Sequence, residues 1–256
     1  MSDLLIVQVA AILLYASVWF LVAQRLRRYD IADIAWGLGF IVLAFLTRFS
    51  LPEVSIRGLV VLGFVTVWGL RLALHIWSRN RSGTEDPRYR KWREEWGSHA
   101  NIRAYFQLFL FQGILIVVIL TPVTHILSHQ DSDFRILDVA GAAVWMVGFI
   151  FETVGDFQLA RFKRNPNNRG RIIRSGLWKY TRHPNYFGEV ILWWGVWLIA
   201  CSVPGGWVTA IGPATITVLI LFVSGIPLLE KRYEGNTEFE EYRQRTSAFF
   251  PFPPKR

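Results

Sequence analysis

Seven apolar runs restrict what this chain can fold into more than any other feature. They cover roughly Leu4–Gln24, Ile31–Phe49, Ile56–Trp77, Tyr105–Leu127, Ile136–Ala160, Phe187–Ser202 and Trp207–Leu229. A helix needs about 20 apolar residues to cross the hydrocarbon core of a bilayer. Backbone groups inside that core must be hydrogen-bonded within the segment itself, which selects helices. The sixth run is short and is expected to borrow a turn from the loop before it. The expected fold is therefore all-α: a polytopic integral membrane protein of about seven transmembrane helices, with residues 1–256 as a single transmembrane domain. No internal repeat or low-complexity linker divides it. The first run has no basic region ahead of it and reads as a retained helix, not a cleaved signal. The 12 Trp and 19 Phe exceed what a soluble core of this size requires.

The formal charge of +9 would ordinarily suggest nucleic acid as a partner. Here the basic residues fall between the apolar runs. Segments after runs 1, 3, 5 and 7 hold 24 of the 28 Lys and Arg, whereas those after runs 2, 4 and 6 hold Arg48 and Arg57, then Arg135, then none. The loop after run 4 adds Asp131 and Asp133. The asymmetry predicts an outside N-terminus and a cytoplasmic C-terminus, and accounts for the charge without nucleic acid. A lone cysteine, Cys201, excludes an intramolecular disulfide and a Cys-based zinc site. No phosphate-binding loop, Rossmann glycine fingerprint, zinc motif or nucleophile elbow is present, and no metal is expected.

The densest chemistry lies in RSGLWKYTRHPNYFGE, from Arg174 to Glu189. Arg174, Trp178, Lys179, Tyr180, Arg182, His183, Asn185, Tyr186 and Glu189 sit between two apolar runs and suit a polar or anionic ligand. A basic loop that only orients the protein is the plain alternative. Run 5 carries Glu152 and Asp156, four apart on one helical face, followed by Arg161, Lys163 and Arg164. Intramembrane acids need partners. NPNNRG is turn chemistry, and Arg169, Arg171 and Arg174 follow it. Spaced arginines beside Asn and Tyr suit bidentate recognition of a pyrophosphate.

In the N-terminal half, Asp33 lies at the start of YDIADIAWGLGF. It is either functional or an interfacial acid paired with Arg28; Trp36 fits an interfacial aromatic belt. Arg71 and His75 share a face of run 3, with Arg71 about 10 Å inside its end. That charge requires a polar cavity or a buried acid on run 5. Glu85, Asp86, Arg88 and Tyr89 either brace their loop or close over a bound molecule. The rest of that loop reads as an amphipathic surface helix with Trp92 and Trp96 toward lipid. Glu230 marks the cytoplasmic mouth of run 7, and Tyr242 with FFPFPP is expected to dock the tail on the membrane surface.

GLWKYTRHPNYFGE before a Trp-rich helix, with DIAWG early and EDPRY after run 3, closely resembles the bacterial DUF1295 family. That family belongs with the membrane steroid 5-alpha-reductases and sterol reductases, and is related to isoprenylcysteine and phospholipid methyltransferases. The resemblance covers nearly the whole chain and is strongest from Asp156 to Glu189. It implies that the C-terminal half, about 136–256, holds NADPH. By position Asp156, Arg164 or Lys163, Arg171, and Asn185 with Gly188 and Glu189 match the family's cofactor contacts. With the basic and aromatic residues around them, the candidate binding set is Asp156, Arg161, Arg164, Arg171, Arg174, Trp178, Tyr180, Arg182, His183, Asn185, Tyr186, Gly188 and Glu189. The steroid reductases also use a Gln-Glu pair on the second helix and a Tyr on the third. Here Asp30 and Asp33 replace the pair, and His75 then Ile76 stand where the Tyr is expected.

The implied reaction is NADPH-dependent reduction of a C=C bond conjugated to a carbonyl in a lipophilic substrate that enters from the bilayer. The phosphates are expected on the Arg171, Arg174 and Arg182 side, with the nicotinamide among helices 2, 3, 5 and 6. Asp33, Arg71, His75 and Glu152 are the catalytic candidates, the first three as donors to the enolate oxygen. A bacterial inner membrane is the expected location, and the Lys and Arg asymmetry predicts an active site open to the cytoplasm. Two other readings fit the same residues: an S-adenosylmethionine-dependent methyltransferase, and a non-catalytic lipid-binding protein.

Overall fold

The computed structural model describes residues 2–80, 85–130 and 133–255, so Asp131 lies outside the described residues. The chain is helical, and no strand occurs among the described residues beyond one isolated bridge between Thr181 and Ser247. It forms two compact units, residues 1–133 and 134–256.

Among the described residues, six helical stretches are long and apolar enough to cross a membrane: Leu4–Leu26, Ile31–Phe49, Ile56–Asn80, Pro87–Ile119, Ile136–Arg164 and Gly206–Tyr233. Their outward side chains are apolar, as lipid requires, with Ile6, Leu14, Leu21, Phe49, Ile136 and Phe222 all more than 60% exposed. The sixth run forms a helix of 17 residues, Pro184–Ala200. It starts three residues before the apolar run, at the proline of RHPN, because proline suits a first helical turn whose N–H groups are unpaired anyway.

In the first unit α1 (Ser2–Leu26), α2 (Ile31–Phe49) and α3 (Ile56–Asn80) precede α4 (Pro87–Trp96), α5 (Ala100–Ala104), α6 (Phe111–Ile119) and α7 (Thr121–Leu127). Gly37 and Gly69 bring α2 and α3 together: a Cβ on Gly37 would lie 2.8 Å from the Gly69 carbonyl oxygen. Such contacts replace hydrophobic driving force where lipid is as apolar as leucine. Near the far end of the helices, the Gln8 amide donates to Thr47 (2.8 Å) and Thr124 (2.9 Å), joining α1, α2 and α7. The segment expected to be a surface helix instead runs on into the span Pro87–Ile119. Trp92 and Trp96 stack at 6.0 Å and pack against a buried cluster that includes Tyr29, Tyr89 and Ala104.

The second unit contains α8 (Ile136–Arg164), α9 (Pro184–Ala200), α10 (Ile211–Val218), α11 (Ile226–Glu230) and α12 (Thr237–Arg245). At 1.5 Å per residue α8 is about 43 Å long, which exceeds the hydrocarbon thickness and is enough to carry its basic last turns beyond it. Gly141 and Gly148 on α8 face Gly195 and Gly188 on α9, at a spacing of seven residues on each helix. A Cβ on Gly148 would lie 2.5 Å from the Leu192 nitrogen. The two backbones are in contact, which leaves no room for any larger residue.

Candidate functional site

Two groups of polar side chains stand out, one in each unit. In the first, the close α2–α3 packing places the start of α2 beside the end of α3. Asp33 there accepts from Tyr89 Oη at 2.5 Å and from Arg88 at 3.1 Å, with Arg79 at 3.7 Å. Arg28 pairs instead with Asp30 at 2.7 Å, and this hydrogen bond raises the Arg28 pKa. Asp30 also accepts from the Asp86 N–H at 3.2 Å, and Glu85 accepts from the Tyr29 N–H at 2.6 Å and from Arg93 at 2.7 Å. EDPRY is thus pinned to YDIAD by opposite charges, with Tyr89 buried beneath. DIAWG has packing reasons as well: Ala35 accepts from the Tyr15 hydroxyl (2.8 Å), and Trp36 meets Phe40 edge-on at 5.1 Å. Arg71 and His75 lie half-buried, one turn apart, on α3.

The second group is built on α8, α9 and the segment between them. Glu152 and Asp156 are both buried on α8, and Asn185 donates to Asp156 at 3.1 Å. Trp178 is buried and donates from Nε1 to the Gly155 carbonyl at 3.1 Å. Gln158 accepts from the Leu177 N–H at 3.0 Å and fills the space beside Gly176, whose φ of +64° only glycine adopts readily. NPNNRG forms the expected turn, with Asn165 accepting from the Asn167 N–H and Gly170 at φ +80°. Gly188 lies against the Glu152 backbone, so the helix contact alone requires a glycine there. Glu189 is half-buried on α9.

The basic residues divide into two sets. Arg161, Arg164 and Arg171 are exposed and have no acidic partner among the described residues; Tyr180 is exposed as well. Arg182 and His183, in contrast, are only 7% and 6% exposed and face inward. Arg182 holds both Glu230 carboxylate oxygens, at 2.8 and 3.2 Å. It also donates to the Thr246 carbonyl and, at 3.2 Å, to that of Arg243. His183 Nε2 lies 3.0 Å from Glu230 Oε1, and its ring stacks on Tyr186 at 5.6 Å. Burial lowers the His183 pKa, although the Glu230 hydrogen bond opposes the shift. Arg174 lies between the sets, 3.6 Å from Glu238 and 3.8 Å from Glu241. No group of three or more His, Cys, Asp or Glu able to hold a metal occurs among the described residues.

Residues 19–246 match the family model DUF1295, described as a protein family of unknown function. The chain belongs to the DUF1295 family. Steroid dehydrogenases are among the relatives it matches. The 3-oxo-5-alpha-steroid 4-dehydrogenase 1 of Bos taurus is 31% identical over 121 residues, which is 47% of this chain and 43% of the relative. The protein of the same name from Homo sapiens is 31% identical over 114 residues, covering 44% and 40%. An uncharacterised Schizosaccharomyces pombe protein is 23% identical over 226 residues, covering 78% and 65%. The chain thus spans less than half the length of the steroid dehydrogenases it matches. No solved structure matches this DUF1295 chain.

Sequence reasoning missed Gln158 and gave Glu230 no partner. Only the i, i+4 and i+6 spacing of Glu152, Asp156 and Gln158 hinted that Gln158 shares their part of α8. For Glu230 the partner is 48 residues away, and no local pattern pointed to it.

Proposed function

We propose that this protein is an NADPH-dependent membrane reductase of the 5-alpha-reductase type. It would reduce a C=C bond conjugated to a carbonyl in a lipophilic substrate that reaches it from the bilayer. Similarity to relatives whose name specifies a 3-oxo steroid supports this class of reaction. The observation that carries it is the pair of Asp156 and Asn185, 3.1 Å apart, in a unit that also exposes Arg161, Arg164 and Arg171, which have no acidic partner among the described residues. Those side chains fit the group: Arg161, Arg164 and Arg171 would take its phosphates, and Asp156 and Asn185 its polar ring substituents. Tyr180 and Tyr186 offer aromatic faces. NADPH, when bound, supplies the hydride.

Arg182 is removed from the phosphate-binding set, because four protein acceptors already occupy its guanidinium. For the substrate, Asp33 already receives Tyr89 and Arg88 and acts as an acceptor in its cluster. The distribution of Lys and Arg supports a loop on the cytoplasmic side, where the nucleotide is available.

Parallel titration of the detergent-purified protein with NADPH and S-adenosylmethionine tests the reading. NADPH binding, weakened about tenfold or more by Asn185→Ala and by Arg171→Ala, is the expected outcome. Binding of S-adenosylmethionine alone would move the site to methyl transfer. Binding of neither would leave a non-catalytic lipid-binding protein.

A further inference from the structure

The segment from Trp178 to Phe187 contains Asn185, yet much of what fixes its shape comes from the C-terminus. The Arg182 N–H donates to the Ser247 carbonyl at 2.9 Å, and the Thr181 hydroxyl donates to that of Ala248 at 3.2 Å. The Tyr242 hydroxyl donates to the Trp178 carbonyl. Phe187 meets Phe249 and Phe250 edge-on, at 5.5 and 6.3 Å. Arg182 joins these contacts. Its fork grips Glu230 at the end of α11 while its other nitrogen reaches the carbonyls of Arg243 and Thr246. A buried guanidinium with this many acceptors holds a rigid position, and no other side chain has the geometry to replace it. Asn185 follows three residues later, at the first turn of α9.

We propose that residues 242–250 form a strap that positions the 178–187 segment for ligand, with Arg182 as the positioning residue between the strap and Asn185. The inference rests on the NADPH reading above. It adds that cofactor affinity is set partly by a tail that need not touch the cofactor.

The test uses the full-length protein in detergent. NADPH dissociation constants are measured on folded, monodisperse wild type, Arg182→Gln and Arg182→Lys, alongside amide hydrogen exchange of 178–187 and 242–250. Arg182→Gln is expected to speed exchange in both segments and to weaken NADPH binding by about tenfold to a hundredfold, as small misplacements of a positioned group do. Arg182→Lys keeps the charge on Glu230 but not the fork, so it recovers part of the affinity. General destabilisation would lower the folded fraction without this graded rescue. If Arg182→Gln does not fold, Tyr242→Phe removes one strap contact and gives the same changes in smaller measure.

Faster exchange in both segments with unchanged affinity overturns the strap. So does lost affinity with unchanged exchange, which would place Arg182 directly on the cofactor. If the wild type binds only S-adenosylmethionine, the reductase reading fails by itself and the same comparison judges the strap with that ligand. A wild type that binds neither overturns both.

Discussion

The two polar clusters differ in how their charge is balanced. In the first unit, Asp30, Asp33, Glu85 and Asp86 are matched by Arg28, Arg79, Arg88 and Arg93 within hydrogen-bond or ion-pair distance, and Tyr89 completes the set. In the second, Glu230 and the tail carbonyls satisfy the inner arginine, whereas Arg161, Arg164 and Arg171 remain exposed without acids. A balanced cluster fixes a fold. An unbalanced one keeps a field that can attract an anion. Under the proposed function, the first unit's cluster is a clasp and the second unit's loop is the ligand site.

Three experiments beyond the titrations bear on the contrast. The largest effect is expected where the second unit's loop depends on its helical scaffold. Gly148→Val forces α8 off α9 and should cost about 3 kcal/mol, read as lost folded yield and a lower melting temperature. Gly63→Ala, where an added Cβ meets nothing within 4 Å, should change stability by less than about 0.5 kcal/mol. Equal tolerance at both positions would mean that α8 and α9 do not pack by backbone contact.

Next is Tyr89→Phe. Removing the hydroxyl takes one donor from Asp33 and should destabilise by about 2 kcal/mol, with NADPH affinity unchanged. A loss of NADPH affinity at constant stability would break the division between clasp and ligand site.

The smallest effect concerns acidity. His183 has a pKa lowered by burial, so the unfolded chain takes up a proton before the folded one does. Its contribution to stability is full above the ordinary histidine pKa of about 6.5 and declines as pH falls below it. Melting temperature should therefore drop modestly between pH 7.5 and 5.5, and His183→Asn should flatten that slope. An unchanged slope in the variant would mean that His183 does not set this pH dependence.

The membrane class was legible in the sequence because lipid imposes length and polarity on each span separately, so Leu4–Leu26 or Ile136–Arg164 can be recognised alone. NPNNRG was legible for the same reason: turn chemistry is local. So was the basic character of the loop, since composition alone carries charge. Partners were not legible. Asp33 lies five residues from Arg28 in sequence, yet the α2–α3 glycine contact brings Arg79 to it and Tyr89 completes its set.

Arg182 and Arg171 look alike as letters eleven residues apart, and only the folded chain separates a buried anchor from an exposed cation. Sequence by itself determined which residues can carry charge and which segments can enter lipid, because those are properties of single side chains and single helices. Tertiary structure decided which charges are already satisfied, because pairing depends on distances that only packing sets.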